Sequence, residues 1–197
     1  MTRILAAGAL AALLAATGPE AGTIQGRISH PLLARWPATV FVEKIPGRDF
    51  APPAEHPVVD QKDLVFIPHV LAVLKGTTVD FRNSDSVKHN IFSSRKSPTV
   101  FNLGAYSSGV VRSVTFDKPG AVSLLCNVHA EMSAYVVVVE TPYFAQTDRE
   151  GRFTIGGVPP GSYRLAFWHE TVASDPQPVV VEGGKVATVA WPQPKRK

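Results

Sequence analysis

Cys126, His129 and Met132 lie within one seven-residue stretch, Cys126-Asn127-Val128-His129-Ala130-Glu131-Met132, with two residues between neighbours. Cys126 is the only cysteine, and Met132 is the only methionine besides Met1. A thiol, an imidazole and a thioether on one short loop form a soft donor set. Joined by a second imidazole, they are the set that holds a mononuclear copper: a thiolate and two imidazoles near-trigonal, with a weak axial donor. His89 is the best second imidazole. It follows a strand and a turn in a separate part of the chain, so a sheet can aim its ring. A lone Cys or Met is ordinarily core filler. Three donor types meeting at ligand spacing, with a His after a strand, point to a metal instead.

The elements around these residues read as strands. Thr23 to Ile28 and Ala38 to Glu43 alternate, and residues 48–57 contain Pro52, Pro53 and Pro57 and form a connector. Leu64 to Phe66, Val70 to Leu74 and Thr77 to Phe81 are extended. Asn83-Ser84-Asp85-Ser86 is a turn, and His89 to Phe92 opens the next extended piece. Ser93 to Ser108 reads as irregular. Val110 to Phe116 alternates, Ala121 to Leu125 runs into Cys126, and Tyr135 to Val139 leaves Met132. Beyond Thr141, Thr147 to Phe153 reads as strand, turn, strand, and Tyr163 to Trp168 alternates. Val179 to Val181 and Val186 to Ala190 flank Glu182-Gly183-Gly184-Lys185 as a hairpin. The pattern predicts an all-β protein of sandwich type.

Residues 64–140 resemble a cupredoxin. The matching residues are Gly76 to Asp85, then His89-Asn90, Lys118-Pro119-Gly120, Cys126, His129 and Met132. The two-residue gap from His129 to Met132 is similar to that of amicyanins. The resemblance implies one copper ion, with His89, Cys126 and His129 as equatorial ligands and Met132 axial. It implies that the Asn90 backbone N–H supports the cysteine sulfur, and that electrons pass at the solvent edge through His129. Three departures bear on potential and colour. Leu124 stands where an aromatic is usual, Asn127-Val128 replaces the common Thr-Pro pair, and Lys88 precedes His89.

The flanking segments resemble a carboxypeptidase regulatory-like (prealbumin-like) module, carried by Thr147 to Ile155 and Val158 to Leu165. Its first strands would be Gly22 to Ser29 and Ala38 to Lys44. The expected organisation is therefore a signal at 1–21, a prealbumin-like sandwich from 22–50 plus 141–193, and a cupredoxin-like Greek-key sandwich at 55–140 inserted in it. A rival layout joins an N-terminal cupredoxin that includes residues 22–50 to a separate C-terminal module. Contacts between residues 23–44 and 144–191 distinguish the two. The whole chain resembles bacterial proteins of the methylamine utilisation or plastocyanin-like type.

Arg3 and the apolar run from Ile4 to Ala16 form a secretory signal pattern. The run is shorter than the about 20 residues a membrane span needs. The expected location is periplasmic or secreted, where a lone cysteine is unusual and must be buried or metal-bound. The formal net charge is +4. Its basic residues are dispersed, which suits an acidic redox protein as partner and argues against nucleic acid. His30, His56 and His169 fall in or beside loops, His169 being a candidate for a domain interface, and His69 reads as structural.

Together these features predict a mononuclear blue-type copper protein in single-electron transfer. The alternative is copper storage, delivery or sensing with the same ligands. An oxidase or nitrite reductase would need further His clusters for a second copper centre, and the six His include no His-x-His pair. A binuclear cupredoxin site needs two Cys. The chain therefore reads as non-enzymatic.

Overall fold

The computed structural model describes residues 20–191 and 194–197. The expected export signal lies outside them, except for Glu20 and Ala21. The strands are β1 (Gly22–Arg27), β2 (Thr39–Val42), β3 (Val58–Lys62), β4 (Val65–Ile67), β5 (Val70–Leu74) and β6 (Thr77–Asn83). They continue as β7 (His89–Ser93), β8 (Asn102–Tyr106), β9 (Val111–Phe116), β10 (Gly120–Leu125), β11 (Ser133–Val139) and β12 (Phe144–Gln146). The last are β13 (Arg152–Val158), β14 (Gly161–Trp168), β15 (Val172–Ala173), β16 (Gln177–Val181), β17 (Val186–Ala190) and β18 (Lys195–Arg196). Among the described residues, one short 3-10 segment, Pro31–Ala34, interrupts the strands.

Two sheets enclose the core that carries the metal-ligand candidates. One has the order β4-β3-β6-β9, the other β5-β11-β10-β7-β8. Strand β6 shows how sequence sets this layer. Thr77, Val79, Phe81 and Asn83 turn inward while Thr78, Asp80 and Arg82 face outward, as a period of two requires. Phe81, Phe116, Ile91, Leu124 and Met132 fill the space between the sheets, all 1% exposed or less.

A second pair of sheets has the orders β13-β1-β17 and β12-β2-β14-β16. Its core includes Ile24, Ile28, Val40, Leu165 and Phe153. Strand β1 lies between β13, antiparallel, and β17, parallel. Strand β2 pairs with β12 and β14, both antiparallel. Early strands thus pair with late ones across the intervening residues. Gly26 makes the first pairing possible, because a Cβ there would meet Val189 O at 2.3 Å and Phe153 Cζ at 2.6 Å.

Strand β11 touches both cores. Ala134, Val136 and Val138 face the first. Val137 and Val139, with Val70, pack on Phe41, Phe144 and Trp168 of the second pair of sheets. Burial on both faces explains why Tyr135 to Val139 is an unbroken apolar run rather than an alternating one.

Two local expectations change, and one strand is added. Residues 93–108 are not wholly irregular, since β8 lies among them and pairs with β7. Strand β3 arises just after the proline connector and pairs in parallel with β6. The segments flanking Glu182 to Lys185 are not a hairpin: β16 pairs with β14, whereas β17 crosses to the other sheet beside β1. The Gly183-Gly184 turn, with Gly184 at φ +67°, carries the chain from one sheet to the other.

Candidate metal centre

The turn before His89 is fixed by one buried side chain. Asn83 is fully buried and donates from Nδ2 to Val87 O at 2.9 Å and Tyr106 O at 3.0 Å. Its Oδ1 accepts the Asp85 N–H at 2.9 Å. That places the Asp85 carboxylate against the His89 ring, Nε2 to Oδ2 2.7 Å. The same carboxylate accepts the N–H groups of Asp63 at 2.7 Å and Leu64 at 3.1 Å. Both residues sit at positive φ in the β3–β4 turn, 55° and 61°. Burial alone would raise the Asp85 pKa. The bonds from Leu64, His89 and Asp63 outweigh it and hold the carboxyl below the usual carboxylate range.

An ionised carboxylate can only accept, so His89 Nε2 carries the proton. The neutral ring then turns a lone pair inward at Nδ1. His129 Nδ1 lies 3.2 Å from it, with ring centroids 4.9 Å apart. In the metal-free molecule this contact needs one proton shared between two ring nitrogens, and a cation can take that proton's place. The ligand atoms of His89, His129 and Cys126 all lie within 4.8 Å of one another. Cys126 is 6% exposed and its sulfur accepts the Val128 N–H at 3.4 Å. Met132 is buried in the same core as Cys126, and its N–H closes the loop onto His129 O at 3.1 Å. His89 is fully buried, whereas His129 is partly exposed. Two imidazoles, one thiol and a neighbouring buried thioether suit copper and leave no hard oxygen donor in the set.

Residues 55–139 match the family model of copper binding proteins of the plastocyanin/azurin family. This block is similar to a cupredoxin domain. The cupredoxin family binds one copper ion, and the His-Cys-His cluster can hold one metal. Among solved structures, the chain is similar to a copper-containing nitrite reductase from Thermus scotoductus SA-01, with 24% identity and a TM-score of 0.42. That alignment covers 51% of this chain and 25% of the reductase, so the chain spans about a quarter of that protein. A reduced amicyanin variant aligns with 23% identity and a TM-score of 0.41, over 45% of this chain and 91% of its own. A purple cupredoxin from Nitrosopumilus maritimus aligns with 26% identity and a TM-score of 0.38, over 42% and 98%. No curated protein matches. Residues 120–189 match a different model, domain II of polysaccharide lyase family 4, in place of the expected carboxypeptidase regulatory-like module.

Asn90 lies in β7 beside the cluster. Among the described residues, the hydrogen bond to the Cys126 sulfur comes from Val128 and not from Asn90. The Asn90 side chain instead donates to Asn102 Oδ1 at 2.8 Å, which ties β7 to β8 beside the site. A bulge between Asn90 and Phe92 shifts the ladder there. From the sequence, Asp85 reads as part of a turn and as the end of the matching run from Gly76, with no role at the cluster. Its signal was the spacing of four residues to His89, which in a tight turn brings a carboxylate back onto the ring. His30, His56, His69 and His169 are not in the cluster. A cleft of about 680 Å³ opens beside Met132, between Trp36, Ile67, His69 and Glu131.

Proposed function

We propose that this chain is an exported mononuclear copper protein that passes single electrons and is not an enzyme. Its ligands are His89, Cys126, His129 and Met132. The observation that carries this reading is the convergence of one ligand atom each from His89, His129 and Cys126 within 4.8 Å, with Cys126 and His129 on a loop closed between two paired strands and His89 at the start of β7. Bound copper supplies a one-electron couple. The chain's own part is to hold the donors still. His89 stands at the start of β7 and is braced by Asp85, while Cys126 and Met132 sit at facing ends of β10 and β11. Donors fixed in this way change little between oxidation states, which favours fast transfer.

The surface supports a redox protein as partner. Leu64, Val65, Ile67, Val87 and Val128 are each 39–51% exposed, on the hairpin and loops that flank the two imidazoles. Isolated exposed apolar residues are ordinary, but a group around a partly exposed ligand is a docking signature. Lys62 and Lys88 are exposed beside them, which suits an acidic partner. We also infer that the cupredoxin-like domain, residues 55–140, is inserted into a second β-sandwich formed by residues 22–50 and 141–193. The pairing of β1 and β2 with β12, β13, β14 and β17 supports that layout over a separate C-terminal module. Export to the periplasm or beyond rests on the signal pattern at residues 1–21. Among the described residues, no helix is long and apolar enough to cross a membrane.

Protein-film voltammetry tests the electron-transfer reading. A reversible one-electron couple in the copper-loaded chain is expected. A chain that shows no couple and yields its copper to a weak chelator stores or delivers copper instead.

A further inference from the structure

The second sandwich reaches the strand that leaves the metal loop at His69, beside a direct contact of Trp168 with the Tyr135 ring, centroids 4.8 Å apart. His69 lies between β4 and β5 of the cupredoxin-like domain. The Trp36 ring, from the second sandwich, stacks on it with centroids 3.8 Å apart and planes 19° apart. Its Nε2 meets Glu170 Oε2, also from the second sandwich, at 2.9 Å, with both side chains largely buried. Trp36 is itself fixed, since its carbonyl accepts from the buried His169 Nε2 at 3.2 Å. On its other side, the His69 carbonyl accepts the Tyr135 N–H at 2.8 Å, and the two rings meet edge to face. Tyr135 is the third residue after Met132.

The loop needs such a strut. The cleft of about 680 Å³ beside Met132 leaves one side of the loop without packing. A loop that borders free space on one side can be displaced unless the strand that leaves it is held. Backbone pairing of β11 with β10 holds one edge, and pairing of Tyr135 with Val70, next to His69, holds the other.

Resting on the copper reading above, we propose that Trp36 and Glu170 are positioning residues for the metal loop. They clamp His69, and His69 holds the start of β11, so that Met132 and Cys126 keep their places with or without metal. The second sandwich would then be a brace for the copper site and not a passive appendage.

Alkylation of Cys126 by iodoacetamide in the metal-free full chain reads loop opening directly. Trp36→Ala and Glu170→Ala should each accelerate it several-fold, and Trp36→Phe, which keeps a stacking ring, should return the rate towards wild type. Phe153→Leu, in the core of the second sandwich but outside the clamp, should lower the melting temperature without accelerating alkylation. In the copper-loaded chain, Trp36→Ala should also release copper to a chelator several-fold faster than wild type. Equal alkylation or equal release in Trp36→Ala and wild type overturns the proposal, as does equal acceleration by Phe153→Leu. A wild type that takes up no copper overturns the copper reading instead, and leaves the alkylation comparison to decide the clamp.

Discussion

Asp85 and His89 are joined by a 2.7 Å hydrogen bond, and the Asp85 carboxylate that makes it also holds the backbone of the β3–β4 turn at Asp63 and Leu64. One side chain therefore sets the His89 tautomer and the position of an exposed hairpin. Groups that orient a ligating imidazole affect metal affinity by roughly 10–100-fold. Asp85→Asn, which removes the charge and can present a donor to Nε2, should weaken copper binding within that range in a chelator competition. Unchanged affinity would show that His89 is oriented by packing alone.

His169 predicts a pH dependence of stability. Its ring is buried, Nε2 donates to Trp36 O and Nδ1 accepts the Thr171 N–H at 3.2 Å, a pattern only the neutral ring can satisfy. Burial lowers its pKa from the ordinary 6.5, and Lys197 and His30 act in the same sense, whereas the bond to Trp36 and the charge of Glu170 oppose. As pH falls below that ordinary value, the unfolded chain takes up a proton before the folded chain does. The stabilisation is complete above it and is lost on acidification towards the depressed folded value. The melting temperature should fall between pH 7.5 and pH 5, and His169→Gln should flatten that slope. An equal slope in the variant would assign the effect to other groups.

Gly26 tests the pairing of early with late strands. Any Cβ there meets backbone at Val189 and the Phe153 ring, so the strands must part. Gly26→Ala should cost about 1–3 kcal/mol, the usual range for overpacking, in urea unfolding, while native protein still binds one copper. A loss below about 0.5 kcal/mol, the size of a neutral surface change, would show that β1 is not held as described.

Much of this was legible in the chain because local chemistry dictated it. The donors of the Cys126 to Met132 loop announce themselves by type and spacing, and β6 and β9 by alternation. What escaped depended on partners distant in sequence. The Asp85 carboxylate gains its role only when the turn folds back on His89. Strand β8 is short, mostly exposed and interrupted by Gly104, and takes its order from pairing with β7. Val179 to Val181 and Val186 to Ala190 have the composition of a hairpin, and only the presence of β1 as a neighbour sends them to different sheets. Trp36 and His69 lie far apart in the sequence, and no periodicity links them.

The central claim is that Cys126 and two imidazoles hold copper in one site. The absorption spectrum of the copper-loaded chain beside Cys126→Ser tests it most directly. An intense visible thiolate-to-copper band in the wild type, absent in the serine variant, is the predicted result. A wild type that carries a full equivalent of copper and shows no such band would contradict it.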